Sequence, residues 1–282
     1  MSATLSRIRF IFLTTLVILS VMVGGALATT IQVKTLAVTP VVDGNDQDWQ
    51  DVPGVEVPVA GELAVRSVLV KGGVSGKEVF FLFQWDDTTE DLQHKPFIWN
   101  EAAQKYDAGP QQEDRFAINF AMSGDFTTDW ISGNSFTADM WHWKTARSNP
   151  LGLAQDKMTI ITTEPTKKAY ETKAKNGQKI YIIRPSDEGS ELYSTIRYAT
   201  KEKDMMPKYI MIENPTGSVA DVKAKGVWKD GRWTLEVKRL LNTGNKDDAV
   251  FELGKAIQGG IAVFDRSGDE HHNISSTLIF QF

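Results

Sequence analysis

Apolar and polar residues alternate along this chain in short runs, and the period is that of strands. Residues 65–70, 79–85, 116–120, 158–162, 180–183, 209–212, 233–237, 261–264 and 278–282 are rich in Val, Ile, Phe and Trp and are bounded by Gly, Asp, Asn or Pro. A long helical period is absent. The best helix candidate is 249–258, capped near Asp247 or Asp248 and stopped by Gly259-Gly260. Many short strands with little helix predict an all-β fold, an antiparallel β-sandwich of immunoglobulin-like or jelly-roll kind with one or two short helices. Two charged stretches, 164–177 and 200–208, interrupt the pattern and read as exposed excursions between strands.

The N-terminus follows a different rule. Arg7 and Arg9 precede an uncharged stretch from Phe10 to Ala28 that closes in Ala26-Leu27-Ala28, a small-x-small cleavage pattern. Residues 1–28 are read as an export signal, with an uncleaved anchor as the alternative, since the stretch approaches the ~18 apolar residues of a bilayer span. Either way the body, 29–282, is expected as one extracytoplasmic domain, periplasmic in a cell with two membranes. Removing the segment takes two Arg and no acid from a formal charge of −5 and leaves −7, which argues against nucleic acid or anionic lipid as partner. The chain has no Cys, so burial alone must stabilise it, and c-type haem attachment, iron–sulfur clusters and thiolate zinc sites are excluded.

Candidate chemistry gathers in a few motifs. The run Ala138-Asp-Met-Trp-His-Trp-Lys-Thr-Ala-Arg147 places Trp141 and Trp143 on one face of a strand and Met140, His142 and Lys144 on the other. Such a strand either buries two indoles and exposes a histidine or turns His142 toward a ligand; two Trp in a sandwich layer need only be core. Val42-Asp-Gly-Asn-Asp-Gln-Asp-Trp49 is an acidic turn ending in Trp, and residues 79–87 form a strand ending in Trp85-Asp86-Asp87. Paired Asp suits acid/base work or calcium, or simply an exposed strand end. Residues 113–122 open with Glu113-Asp114-Arg115 and close with Met122. Gly231–Arg239 is a Trp-led strand ending in the basic pair Lys238-Arg239, followed by Asp247-Asp248 and the strand Ile261-Ala-Val-Phe-Asp265. The alternation places Trp233, Leu235 and Val237 on one face, and Glu236 with Lys238 on the other. No Gly-x-Ser-x-Gly, His-Glu-x-x-His or phosphate loop is present, so a hydrolase or nucleotide enzyme has no support.

Together these segments resemble the haem-binding gamma subunits of the ethylbenzene dehydrogenase and dimethylsulfide dehydrogenase group; the acidic turn is also similar to family 9 carbohydrate-binding modules. The resemblance implies a non-catalytic, exported electron-transfer subunit that holds haem b without covalent attachment and serves a molybdenum oxidoreductase or similar redox partner. Related gamma subunits ligate iron with a methionine on one side and a lysine or histidine on the other. A six-coordinate iron relays electrons, because no position is open for oxygen. Carried over by position, the ligands are Met122 and Lys238, with Met140 and His271 as alternatives, and Trp141, His142, Trp143 and Arg239 lie beside the haem. A lysine ligand must be a neutral amine, which requires burial and the charge of the iron. The chain departs from the pattern at Ile131–Phe136, where the family carries a Met within a glycine-containing turn. The competing expectation is a haem-free module of related fold that binds a carbohydrate or other small ligand.

Overall fold

The computed structural model describes residues 28–268 and 273–282; the expected signal segment, apart from Ala28, and the candidate ligand His271 lie outside the described residues. Seven strands precede the Trp-His-Trp run: β1 (Thr29–Thr35), β2 (Val55–Ala60), β3 (Ser67–Ser75), β4 (Glu78–Asp86), β5 (Phe97–Asn100), β6 (Lys105–Ala108) and β7 (Arg115–Gly124). The run itself is β8 (Phe136–Lys144). Next come β9 (Gln155–Thr162), β10 (Tyr170–Lys173), β11 (Lys179–Ile183), β12 (Tyr193–Thr195), β13 (Met205–Met206) and β14 (Tyr209–Met211). The chain closes with β15 (Lys223–Lys229), β16 (Arg232–Leu240), β17 (Ala256–Phe264), β18 (Asn273–Ser275) and β19 (Leu278–Gln281).

Two layers result, as the alternating pattern predicts. The first sheet runs β10-β11-β9-β8-β7-β17, with β18 and β19 pairing different stretches of β17; the second runs β2-β3-β4-β16-β15. They are joined along one side. There β18 pairs with β2, and β1 lies parallel first to β19 and then to β3. The other pairings are antiparallel, so the sandwich class holds. Phe81, Phe83 and Trp85 of β4 and Trp233, Leu235 and Val237 of β16 face Phe116, Ile118 and Phe120 of β7 across the core. Phe83 and Phe116 approach to 4.5 Å between centroids, and burial of each such ring contributes about 2–3 kcal/mol.

Among the described residues the only helices are single turns of 3-10 helix, at Gln47–Trp49, Asn149–Leu151 and Ser218–Ala220. The helix expected over 249–258 does not form. Gly254 takes a left-handed φ of 79°, the chain turns, and β17 begins at Ala256. Gly259 lies inside this strand because a Cβ there would sit 2.5 Å from the Asn119 carbonyl and 2.8 Å from the Phe280 ring.

The stretch 164–177 is mostly exposed, as its composition predicts, and carries the β10 half of a hairpin. The second excursion has more structure. Met205-Met206 pairs with β5 beside β6, and the strands that flank the excursion, β12 and β14, pair with each other. Tyr193 and Tyr209 from this second pair lie against Arg147, each ring 5.3 Å from its guanidinium, and so fold over the end of β8. Among the described residues no helix is long and apolar enough to cross a membrane.

Candidate functional site

Strand β8 is buried on both faces, which neither sequence alternative anticipates. Trp141 and Trp143 point between the sheets, each about 1 % exposed. Trp141 packs on Phe120 (5.0 Å) and Phe251 (5.9 Å), and Trp143 on Trp233 (5.1 Å) and Trp85 (6.2 Å). Gly226 on β15 makes room for the second indole, since a Cβ there would approach the ring to 2.1 Å. Asn149 then locks it: its Oδ1 accepts from Trp143 Nε1 at 3.0 Å and from Gly226 N at 2.9 Å. These are core aromatics, with no space for a porphyrin between them.

On the opposite face Met140, His142 and Lys144 are also buried. Met140 packs with Ala117 and Phe264, and its Sδ accepts weakly from Thr159 Oγ1 at 3.7 Å. The His142 ring stacks on Phe264 at 5.7 Å, and its Nε2 has no hydrogen-bond partner among the described residues. Burial, then the positive charge of Lys144, Arg115 and Lys157, pushes its pKa well below the ordinary value. Lys144 Nζ donates to Gln155 Oε1 and lies 5.4 Å over Tyr193, and burial drives its pKa far down as well. The carboxylate acting on it, Glu113, is itself engaged by Arg147 at 2.5 Å and by His94 at 3.4 Å.

The basic pair on β16 splits. Arg239 points inward, where its Nη1 reaches Asp139 at 2.7 Å, Asp156 at 3.0 Å and Asp248 at 3.2 Å, while Nη2 donates to the Ala249 carbonyl at 2.7 Å. Arg239 thus ties the two sheets through a buried ion cluster and is committed to the protein itself. The three carboxylates hold its pKa above the ordinary value against burial, which acts the other way. Burial and mutual repulsion push Asp156 well up.

Lys238 points to the outer face, pairs with Glu78 at 3.1 Å and lies 5.5 Å over Phe80. Met122, the extra residue of a bulge in β7, packs against the core between the sheets. The second sheet stands between them. The structure therefore does not bring Met122 and Lys238 to one iron, because alternation sends Lys238 away from the layer that Met122 faces. A haem does not fit at these residues, nor between the indoles.

A cleft of about 820 Å³ opens elsewhere, beside the Arg239 cluster, with Met158, Asp187, Ser218, Asn245, Lys246 and Asp247 on its wall. Met158 comes from β9 and Lys246 from the loop between β16 and β17. Asp187 is buried with neither carboxylate oxygen bonded to a donor; desolvation and the nearby Asp139 raise its pKa to about 8. Sequence reasoning missed this wall, because it is assembled from loops. The one available signal was the pair Asp247-Asp248 that follows the Trp-led strand.

Fold and buried motifs define the class: an all-β, two-sheet domain whose family-like motifs converge on its core and one end. The profile of the ethylbenzene dehydrogenase family matches residues 46–276, and the chain belongs to that family. No curated protein matches it. Among solved structures it is similar to a family 9 carbohydrate-binding module from Caldicellulosiruptor kristjanssonii in complex with cellotriose, at 11 % identity and a TM-score of 0.38, covering 89 % of this chain and 84 % of that one. A second similar structure, a protein from Bacteroides uniformis described as carbohydrate-binding, shares 9 % identity at a TM-score of 0.43, covering 90 % of this chain and all of the other.

Proposed function

We propose that the chain is a non-catalytic, extracytoplasmic subunit that relays electrons for a molybdenum-oxidoreductase-type complex through a non-covalently held haem b. The observation that supports this reading is the cleft beside the Arg239 cluster. It has the volume of an organic-cofactor site and carries one thioether, Met158, and one amine, Lys246, the two donor types that the family resemblance calls for. Haem when bound supplies one-electron chemistry. Met158 is held by its strand, with its backbone N–H bonded to the Pro185 carbonyl at 3.0 Å. Lys246 lies exposed two residues after Gly244, whose φ is 82°. Asp187, with its pKa near 8, is protonated at neutral pH and so donates a hydrogen bond to a carboxylate entering the cleft instead of repelling it.

A second reading is favoured by the polar wall of the same cleft, where Ser218, Asn245 and Asp247 outnumber apolar groups: a haem-free module for a carbohydrate or other hydroxyl-rich ligand. Titration of the purified protein with haem separates the two. The electron-transfer reading expects a sharp Soret band that shifts on reduction and a changed reduced spectrum in Met158→Ala and Lys246→Ala. A colourless protein that takes up no haem leaves the second reading.

A further inference from the structure

Three family-like motifs that are far apart in sequence meet at one end of the sandwich. Asp87 follows the end of β4, Asp114 precedes β7 and Asp265 follows β17, and one carboxylate oxygen of each lies within 4.8 Å of the others. Asp86 and Asp87 diverge: Asp86 is exposed and pairs with Arg232 at 2.8 Å, whereas Asp87 is 4 % exposed. The carboxyl of Asp114 is satisfied, accepting from Asp91 N at 2.9 Å, Arg266 N at 3.2 Å and Trp233 Nε1 at 3.3 Å. The other two are not. Asp87 Oδ1 accepts from Thr89 N at 3.0 Å, but its buried Oδ2 meets no donor among the described residues, and the buried Oδ1 of Asp265 has only the ion pair with Arg266 Nε at 3.5 Å. The cation at hand is Arg266, itself more than half exposed, whose Nε stands 3.5 Å from Asp265 and 3.6 Å from Asp91.

We propose that Asp87, Asp114 and Asp265 form a binding site for a hard divalent cation of the calcium class. Carboxylate oxygens converging from three chain segments, one of them the buried, donor-free Oδ2 of Asp87, match what such an ion needs, and water completes a coordination of six to eight oxygens. Asp91, from the loop after β4, adds a fourth negative charge beside them. The ion would tie together the ends of β4, β7 and β17, and with them both sheets. This site is separate from the cleft with Met158 and Lys246, so either proposal can fail alone.

Terbium(III), a calcium surrogate excited through nearby indoles, tests it directly. Trp233 Nε1 bonds Asp114, and Trp228 Nε1 donates to the Asp87 carbonyl at 2.9 Å, so both indoles adjoin the cluster. The full chain should give sensitised terbium emission that calcium displaces. Its Tm should rise by about 5 °C or more when calcium at roughly 100-fold over Kd replaces EDTA. Asp265→Asn and Asp87→Asn should lose both responses, while Asp86→Asn, at the exposed neighbour, keeps them. A wild-type Tm indifferent to calcium, or terbium emission that survives in Asp265→Asn, overturns the site. The wild-type measurements decide even where a variant fails to fold.

Discussion

The two faces of β8 bury charge in opposite ways. On the inner face Asp139 meets Arg239, which also holds Asp156 and Asp248, so anions taken out of water find a cation with matching geometry. On the outer face His142 and Lys144 are buried beside further cations, and the acid acting on Lys144 is already engaged by Arg147. In the first, Coulomb attraction to the carboxylates keeps Arg239 charged, while burial still pushes Asp139 and Asp156 up. The second relieves burial by neutralisation, since a buried base without a free counter-ion gives up its proton. One strand therefore shows that burial alone does not fix the ionisation state; the partner does.

The largest break in this comparison is Arg239→Met. Removing one partner of a buried ion cluster strands the others, and the expected loss is about 3–5 kcal/mol in urea unfolding. Arg239→Lys should recover only part of it, because a single ammonium cannot span three carboxylates and also reach the Ala249 carbonyl. A loss below about 1 kcal/mol would show that the acids around it hold protons and that the inner face resembles the outer one.

Much of this fold was legible in the sequence. The periods over 79–85 and 233–237 marked β4 and β16 because one face of each meets a continuous aromatic core. Alternation also showed that Lys238 and Arg239 point opposite ways. What receives the inward Arg239 was not legible, since its partners are distant in sequence and an unpaired inward Arg violates ordinary burial preference. The two-sided burial of β8 was hidden for a related reason: its outer cover, Tyr193 and Tyr209, comes from residues on either side of the excursion 200–208, which no local pattern ties to β8. Gly259-Gly260 read as a helix stop, although here glycine serves close packing inside a strand.

A smaller effect is expected from acid. The native imidazole of His142 has its pKa below 6.5, so between the native and unfolded values the unfolded chain binds more protons and stability rises with pH. The contribution is fully present above 6.5 and is lost as pH falls toward the native value. His142→Phe, which keeps a ring against Phe264, should flatten the stability profile between pH 7.5 and 5 relative to wild type in urea melts. Parallel profiles would mean that His142 protonates in place, with an anion drawn in beside it.

The smallest effect belongs to Lys144→Met, which sharpens the comparison most. Methionine keeps the length of the stem but removes the amine, so Gln155 Oε1 loses its donor, a cost of about 1 kcal/mol, while Gln155 Nε2 keeps its bond to Ser186 Oγ at 2.8 Å. Against this, the native protein no longer has to strip a proton from a lysine that is charged when unfolded. The two changes oppose each other at pH 7 and partly cancel. With a native pKa below 10.5, the wild-type gains stability as pH rises toward that value, because the unfolded lysine is then releasing its proton too. The variant lacks this gain. Its relative stability should therefore decline from pH 7 to pH 10, and a loss of several kcal/mol already present at pH 7 would mean instead that Lys144 is charged and paired, as Arg239 is on the other face.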